Sequence, residues 1–115
     1  MKRPTAVPIN LGEFEQLVLL TMIRLGLEAY GASVQVEIET RGGRRVSFSA
    51  VYTTLDRLEG KGLVGSRIGD PTPQRGGKRK KHYEITPAGT RALQDSYELL
   101  KRMTKGIEPL LEKAR

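Results

Sequence analysis

Six cations stand close together late in the chain, Arg67, Arg75, Lys78, Arg79, Lys80 and Lys81, and Asp70 is the single acid among them. Cations at that density suit one kind of chemistry, the neutralisation of closely spaced phosphates with release of their counterions. Ahead of them Ser49, Thr53 and Arg57 recur every four residues, a spacing that stacks two hydroxyls and a guanidinium on one side of a helix. Tyr52 falls beside them, where its ring can pack at the edge of a core while its hydroxyl meets a phosphate. Side chains of these types, on an element narrow enough for the major groove, can hydrogen-bond base edges. Two roles are thereby separated, with Arg75, Lys78, Arg79 and Lys80 placed on phosphates and Ser49, Tyr52, Thr53 and Arg57 placed in the groove. Gly76 and Gly77 next to Arg75 would let the main chain and an arginine approach a narrow groove closely.

These groups need a helix and a hairpin to hold them. Ser47 is a good N-cap, and Val51, Leu55 and Leu58 recur at helical spacing behind it, so a helix over Ser47 to Gly60 faces the core with those three residues. Leu63 to Ile68 and Lys81 to Thr86 read as strands, separated by Pro71, Pro73 and the glycine pair, which predicts a hairpin with a long tip. Upstream, residues 1–10 carry Pro4, Pro8 and little periodicity, the pattern of a flexible arm ending near Asn10, a candidate helix cap. Leu11 to Leu25 is apolar around more than one face, with Phe14, Leu17, Val18, Leu20, Met22, Ile23 and Leu25, and Gly26 ends it. A second helix follows from Tyr30-Gly31 to Gly42-Gly43. Pro87 opens a last helix in which Leu93, Tyr97, Leu100, Met103 and Ile107 lie three or four apart, with Gly106 and Pro109 weakening its end.

The expected fold is therefore α+β and mostly α: a winged helix-turn-helix over residues 11–86 with a two-stranded wing, then a C-terminal dimerisation helix over 87–115. A chain of 115 residues buries one modest core. Its first and last helices present more apolar surface than one copy can cover, so Phe14, Leu17, Leu93, Tyr97, Leu100, Met103 and Ile107 are the expected dimer interface.

Composition excludes most alternatives. Lys and Arg number 20 against 13 acids, a net charge of +7, which favours a polyanionic partner and makes nucleic acid the first candidate, and the helix beside a basic hairpin points to double-stranded DNA. With no cysteine there is neither a disulfide framework nor thiolate-bound zinc, and the lone His82 reads as a solvent-exposed strand residue, not a metal ligand. Nucleotide-cradling glycine motifs and a nucleophile with its base are missing too, so neither an enzyme nor a cofactor is expected. Glu13, Glu15, Glu37 and Glu39 fall in pairs two apart, on different sides of a helix, and read as solvated carboxylates. Tyr83 is expected in the core. The apolar run Leu17 to Leu27 is too short to span a bilayer, and a cytoplasmic protein is expected, with no membrane partner. The competing reading is a winged-helix interaction module whose cationic hairpin meets an acidic protein.

Four stretches, LGEFEQLVLLTMIRL, YGASVQVEIE, VSFSAVYTTLDRLEGKGLV and RGGKRKKHYEITPAG, together resemble the PadR family of bacterial transcriptional regulators across roughly residues 11–105. The resemblance implies a homodimer that represses genes by occupying a palindromic promoter site, often relieved by a small aromatic effector. It also implies, for short members ending in one helix, an interface built from that helix and the first. Some short relatives place a tryptophan on the last helix as a stacking platform for the effector. This chain has no Trp; Tyr97 is the nearest substitute, and interface packing is its expected role.

Overall fold

The computed structural model describes residues 10–69 and 80–113. Helix α1 spans Glu13–Leu25, a single 3-10 turn follows at Gly26–Glu28, and α2 spans Gly31–Gly42. The cap of α1 is Gly12, not Asn10, and the Glu15 carboxylate accepts the Gly12 N–H at 2.9 Å. At the other end Gly26 takes φ 57°, a conformation that side chains resist, and the chain turns sharply. Ser33 fixes the start of α2, accepting from the Tyr30 N–H at 3.0 Å and donating to the Glu28 carbonyl at 2.6 Å.

Helix α3 spans Phe48–Gly60 and is capped as expected, with Ser47 Oγ accepting from the Ala50 N–H at 2.9 Å. Val51, Leu55 and Leu58 are wholly buried, and they meet Val18, Leu19 and Met22 of α1 and Val34 and Ile38 of α2 in one core. Each such side chain withdrawn from water contributes roughly 1.5–3 kcal/mol to holding the three helices together. The chain then turns at Gly62, φ 77°, into strand β1, Val64–Ile68, which pairs antiparallel with β2, Lys81–Ile85. The register sets Val64 opposite Ile85 and Ile68 opposite Lys81. Tyr83 is buried, as expected. His82 is not the solvent-exposed residue expected: it is half-buried, its ring edge-on to Tyr30 at 5.4 Å, because Tyr30 bridges onto β2 at that residue.

Helix α4 spans Pro87–Thr104, with Thr86 Oγ capping the Gly89 N–H at 3.0 Å. Its first turns enter the core through Ala92 and Leu93, and beyond them its apolar residues are exposed. The last helix is not continuous to Ile107. Gly106 at φ 89° breaks it, and a short α5 follows at Glu108–Glu112. Among the described residues no helix is long and apolar enough to cross a membrane.

Candidate nucleic-acid interface

Burial of one stripe of α3 dictates what the opposite side offers. Ser49, Thr53 and Arg57 are exposed as their four-residue spacing predicts, and Tyr52 sits at the boundary, 39% exposed. The Tyr52 ring stacks on Phe48, centroids 5.8 Å apart at 20°. Phe48 fits only because residue 31 is glycine: a Cβ there would lie 2.9 Å from the Phe48 ring. The helix is thus seated by an aromatic pair at one flank, while its outer side carries short polar groups.

The wing strands are tied to the same helix. Glu59 accepts from Ser66 Oγ of β1 at 2.6 Å and pairs with Lys81 of β2 at 3.6 Å. Lys80 places its ammonium 3.8 Å from the centre of the Tyr30 ring, a cation–π contact at the corner before α2. Arg67 is exposed on β1. Arg75, Lys78 and Arg79, the other expected phosphate contacts, lie outside the described residues.

Behind this seam the Tyr83 hydroxyl is buried next to Tyr52. Burial pushes its pKa well above the ordinary 10, and the neighbouring Tyr52, Asp56 and Glu59 push it further, so the phenol stays protonated.

Three charged positions were not singled out by spacing. Arg44 and Arg45 are exposed in the turn joining α2 to α3; Arg44 pairs with Glu13 at 3.0 Å and lies over the Phe14 ring. Two adjacent arginines, separated from the N-cap Ser47 by Val46 alone, are the signal that marks this turn. Asp56 is exposed on the outer side of α3, one turn beyond Tyr52 and Thr53.

Nor are the acids uniformly solvated. Glu15 is buried, and its carboxylate accepts from Lys61 Nζ at 2.8 Å. Burial alone would raise its pKa; the Lys61 hydrogen bond, the Gly12 N–H and the charges of Lys61 and Arg57 together outweigh that and hold it below the ordinary 4.5. No cluster of His, Asp and Glu among the described residues could hold a metal ion.

The expected interface residues fall into two groups. Leu93 is only 7% exposed and belongs to the subunit's own core, and Phe14 is half-buried against that core. Leu17 is half-buried on α1. Tyr97, Leu100, Met103 and Ile107 are exposed, Met103 to 68%. Leu20 and Ile23 of α1 join Tyr97 and Leu100 in lining an apolar groove of about 340 Å³ between α1 and α4.

Three helices, a two-stranded wing and an exposed polar face on the second helix of the turn define the class: a winged helix-turn-helix protein. Within that class the sequence pattern of the transcriptional regulator PadR-like family matches residues 19–95, and the chain belongs to that family, whose members are regulators and not enzymes. It is 35% identical over 82 residues to the transcriptional regulator Rv3488 of Mycobacterium tuberculosis, a match covering 70% of each chain. It also resembles the crystal structure of a PadR family transcriptional regulator from Eggerthella lenta, with 28% identity, 88% of each chain covered and a TM-score of 0.65. A complex structure of hsRosR-S1 is similar at 27% identity and a TM-score of 0.68, covering 90% of this chain and 84% of that one.

Proposed function

We propose that this transcriptional regulator binds duplex DNA directly, as a homodimer on a palindromic promoter site, and acts there as a repressor. The observation that carries this reading is the outer side of α3, where Ser49, Tyr52, Thr53 and Arg57 are exposed on a helix tied through Glu59 to a cationic wing. In a helix-turn-helix that helix enters the major groove. Arg67 and Lys80, at the outer end of the paired wing strands and continued in sequence by Arg75, Lys78 and Arg79, supply phosphate contacts. Residues 11–86 form the DNA-binding part and 87–115 the dimerising part; the expected arm over residues 1–10 lies, but for Asn10, outside the described residues. Support for pairing comes from the exposed apolar side chains Leu20, Ile23, Tyr97, Leu100 and Met103, which a second copy would cover. Two-fold pairing sets two recognition helices about one turn of DNA apart. The groove lined by Tyr97 and Leu100 is where a small aromatic effector would bind.

Selection from random duplexes followed by titration in salt tests the reading. The expected result is a two-fold symmetric site, bound with an affinity that falls steeply as salt rises. Thr53→Ala relaxes preference at particular base pairs by ~1 kcal/mol or more, whereas neutralising Lys78 and Arg79 weakens all duplexes alike. Binding to an acidic protein with no retention of any duplex would overturn the proposal in favour of an interaction module.

A further inference from the structure

At about 100° per residue, Ser49, Tyr52, Thr53 and Asp56 lie within an arc of about 100° on α3, opposite the buried stripe, with Arg57 at its edge. Asp56 sits inside that arc, its side chain exposed. A carboxylate is the wrong group to bring near phosphates, so its presence there needs an account.

Other carboxylates near the interface are committed. Glu59 holds Ser66 and Lys81, Glu15 holds Lys61, Glu13 holds Arg44, and Glu39 accepts the Val46 N–H at 3.1 Å. Asp56 has no ion pair or hydrogen bond among the described residues. It therefore reaches the DNA as an acceptor without a donor, and every phosphate, guanine O6 and N7, and thymine O4 it meets is also an acceptor. In the major groove the donors are the exocyclic amino groups, and the short carboxylate is matched to the N4 amino group of cytosine.

We infer that Asp56 is a specificity-determining residue, accepting a hydrogen bond from cytosine in each half-site and repelling sequences that present acceptors at that position. This rests on the proposed docking of α3 in the groove. Specificity gained in this way is a difference: the carboxylate costs affinity on every wrong duplex, where it is desolvated without a partner.

The test compares the unaltered protein with Asp56→Ala and Asp56→Asn, both at an exposed site and checked for retained helix content. Each is taken through selection from random duplexes and then titrated on the selected site, on the same site with one C·G pair changed, and on random DNA. The unaltered protein should select a C·G pair at one position of each half-site and lose about tenfold in affinity when that pair is changed. Asp56→Ala should lose that discrimination and bind random DNA several-fold more tightly. Asp56→Asn, whose amide donates as well as accepts, should move the preference at that position toward adenine. Unchanged base preference in both variants, or an equal loss on every duplex, overturns the role of Asp56 and leaves DNA binding standing. Failure of the unaltered protein to select any duplex overturns the DNA-binding reading itself.

Discussion

Replacing Arg45 and Arg67 together by alanine isolates the backbone-holding part of the proposed interface. Both side chains are exposed, Arg45 in the turn directly before α3 and Arg67 on the wing strand β1, and no ion pair engages either among the described residues. Each phosphate contact contributes about 0.9 to the slope of log K against log salt on duplex DNA. Two residues in each of two subunits then remove about 3.6 from that slope. Raising salt from 50 to 200 mM changes its logarithm by about 0.6, so the double variant should be roughly 150-fold less weakened over that interval than the unaltered dimer. Fluorescence anisotropy on one selected duplex and one random duplex, at several salt concentrations, measures both slopes. The fall should be the same on both duplexes, because phosphates carry no sequence information. Arg24→Ala is the control: Arg24 is exposed near the end of α1 and lies on neither α3 nor the wing strands. An unchanged slope in the double variant, or an equal fall in the control, would refute the assignment of these arginines to phosphates.

Three further outcomes follow from packing and charge. Gly89→Ala would put a Cβ 2.1 Å from the Leu63 carbonyl oxygen and 2.8 Å from Ile85, so stability to urea should fall by about 3 kcal/mol with the midpoint shifted and little change in slope. Because the folded-state pKa of Glu15 is depressed, its contribution is present above the unfolded value near 4.5 and is lost as pH falls through the lower folded value; Glu15→Gln should flatten that acid limb in thermal melts taken at descending pH below 4.5. Leu100→Lys on the exposed face of α4 should leave the helical content intact while halving the mass seen by light scattering at low micromolar concentration, and an unchanged mass would exclude α4 from the interface.

Local signals made α3 and the wing legible. Ser47 followed by Val51, Leu55 and Leu58 is both a cap and a stripe, and each observation agrees with the other. The strands announced themselves through alternation and through Gly62, which turns the chain at φ 77°. What stayed hidden depends on partners distant in sequence. The burial of Glu15 requires Lys61, 46 residues away, to supply the charge that makes it tolerable. His82 leaves solvent because Tyr30, at a corner between helices, adds itself to the sheet. The stripe on α4 was read as one surface, whereas it serves two: Ala92 and Leu93 face the subunit's own core, and Tyr97, Leu100 and Met103 extend past the end of that core. A three-four repeat states that a helix has a wet and a dry side; it does not state where along the helix the cover changes.

That change of cover has a mechanical consequence. The start of α4 is fixed to the turn between α3 and β1 by three contacts: Thr86 Oγ donates to the Gly62 carbonyl at 2.8 Å, the Thr86 N–H donates to the Leu63 carbonyl at 3.0 Å, and Gly89 lies directly over that carbonyl. The same turn is closed on α3 by the Leu63 N–H donating to the Leu58 carbonyl at 2.9 Å. Helix α4, the wing and α3 therefore share one short junction of main chain, with no flexible linker between them. In the proposed dimer the direction of α4 sets how two subunits meet, and this junction carries that direction to α3 without slack. In that proposed dimer a shift of packing at Tyr97 or Leu100, such as the proposed effector in the adjoining groove would cause, would move the recognition helices apart or together and so off the half-site spacing. The proposed effector would then act through a rigid-body displacement alone, with α3 and the wing intact.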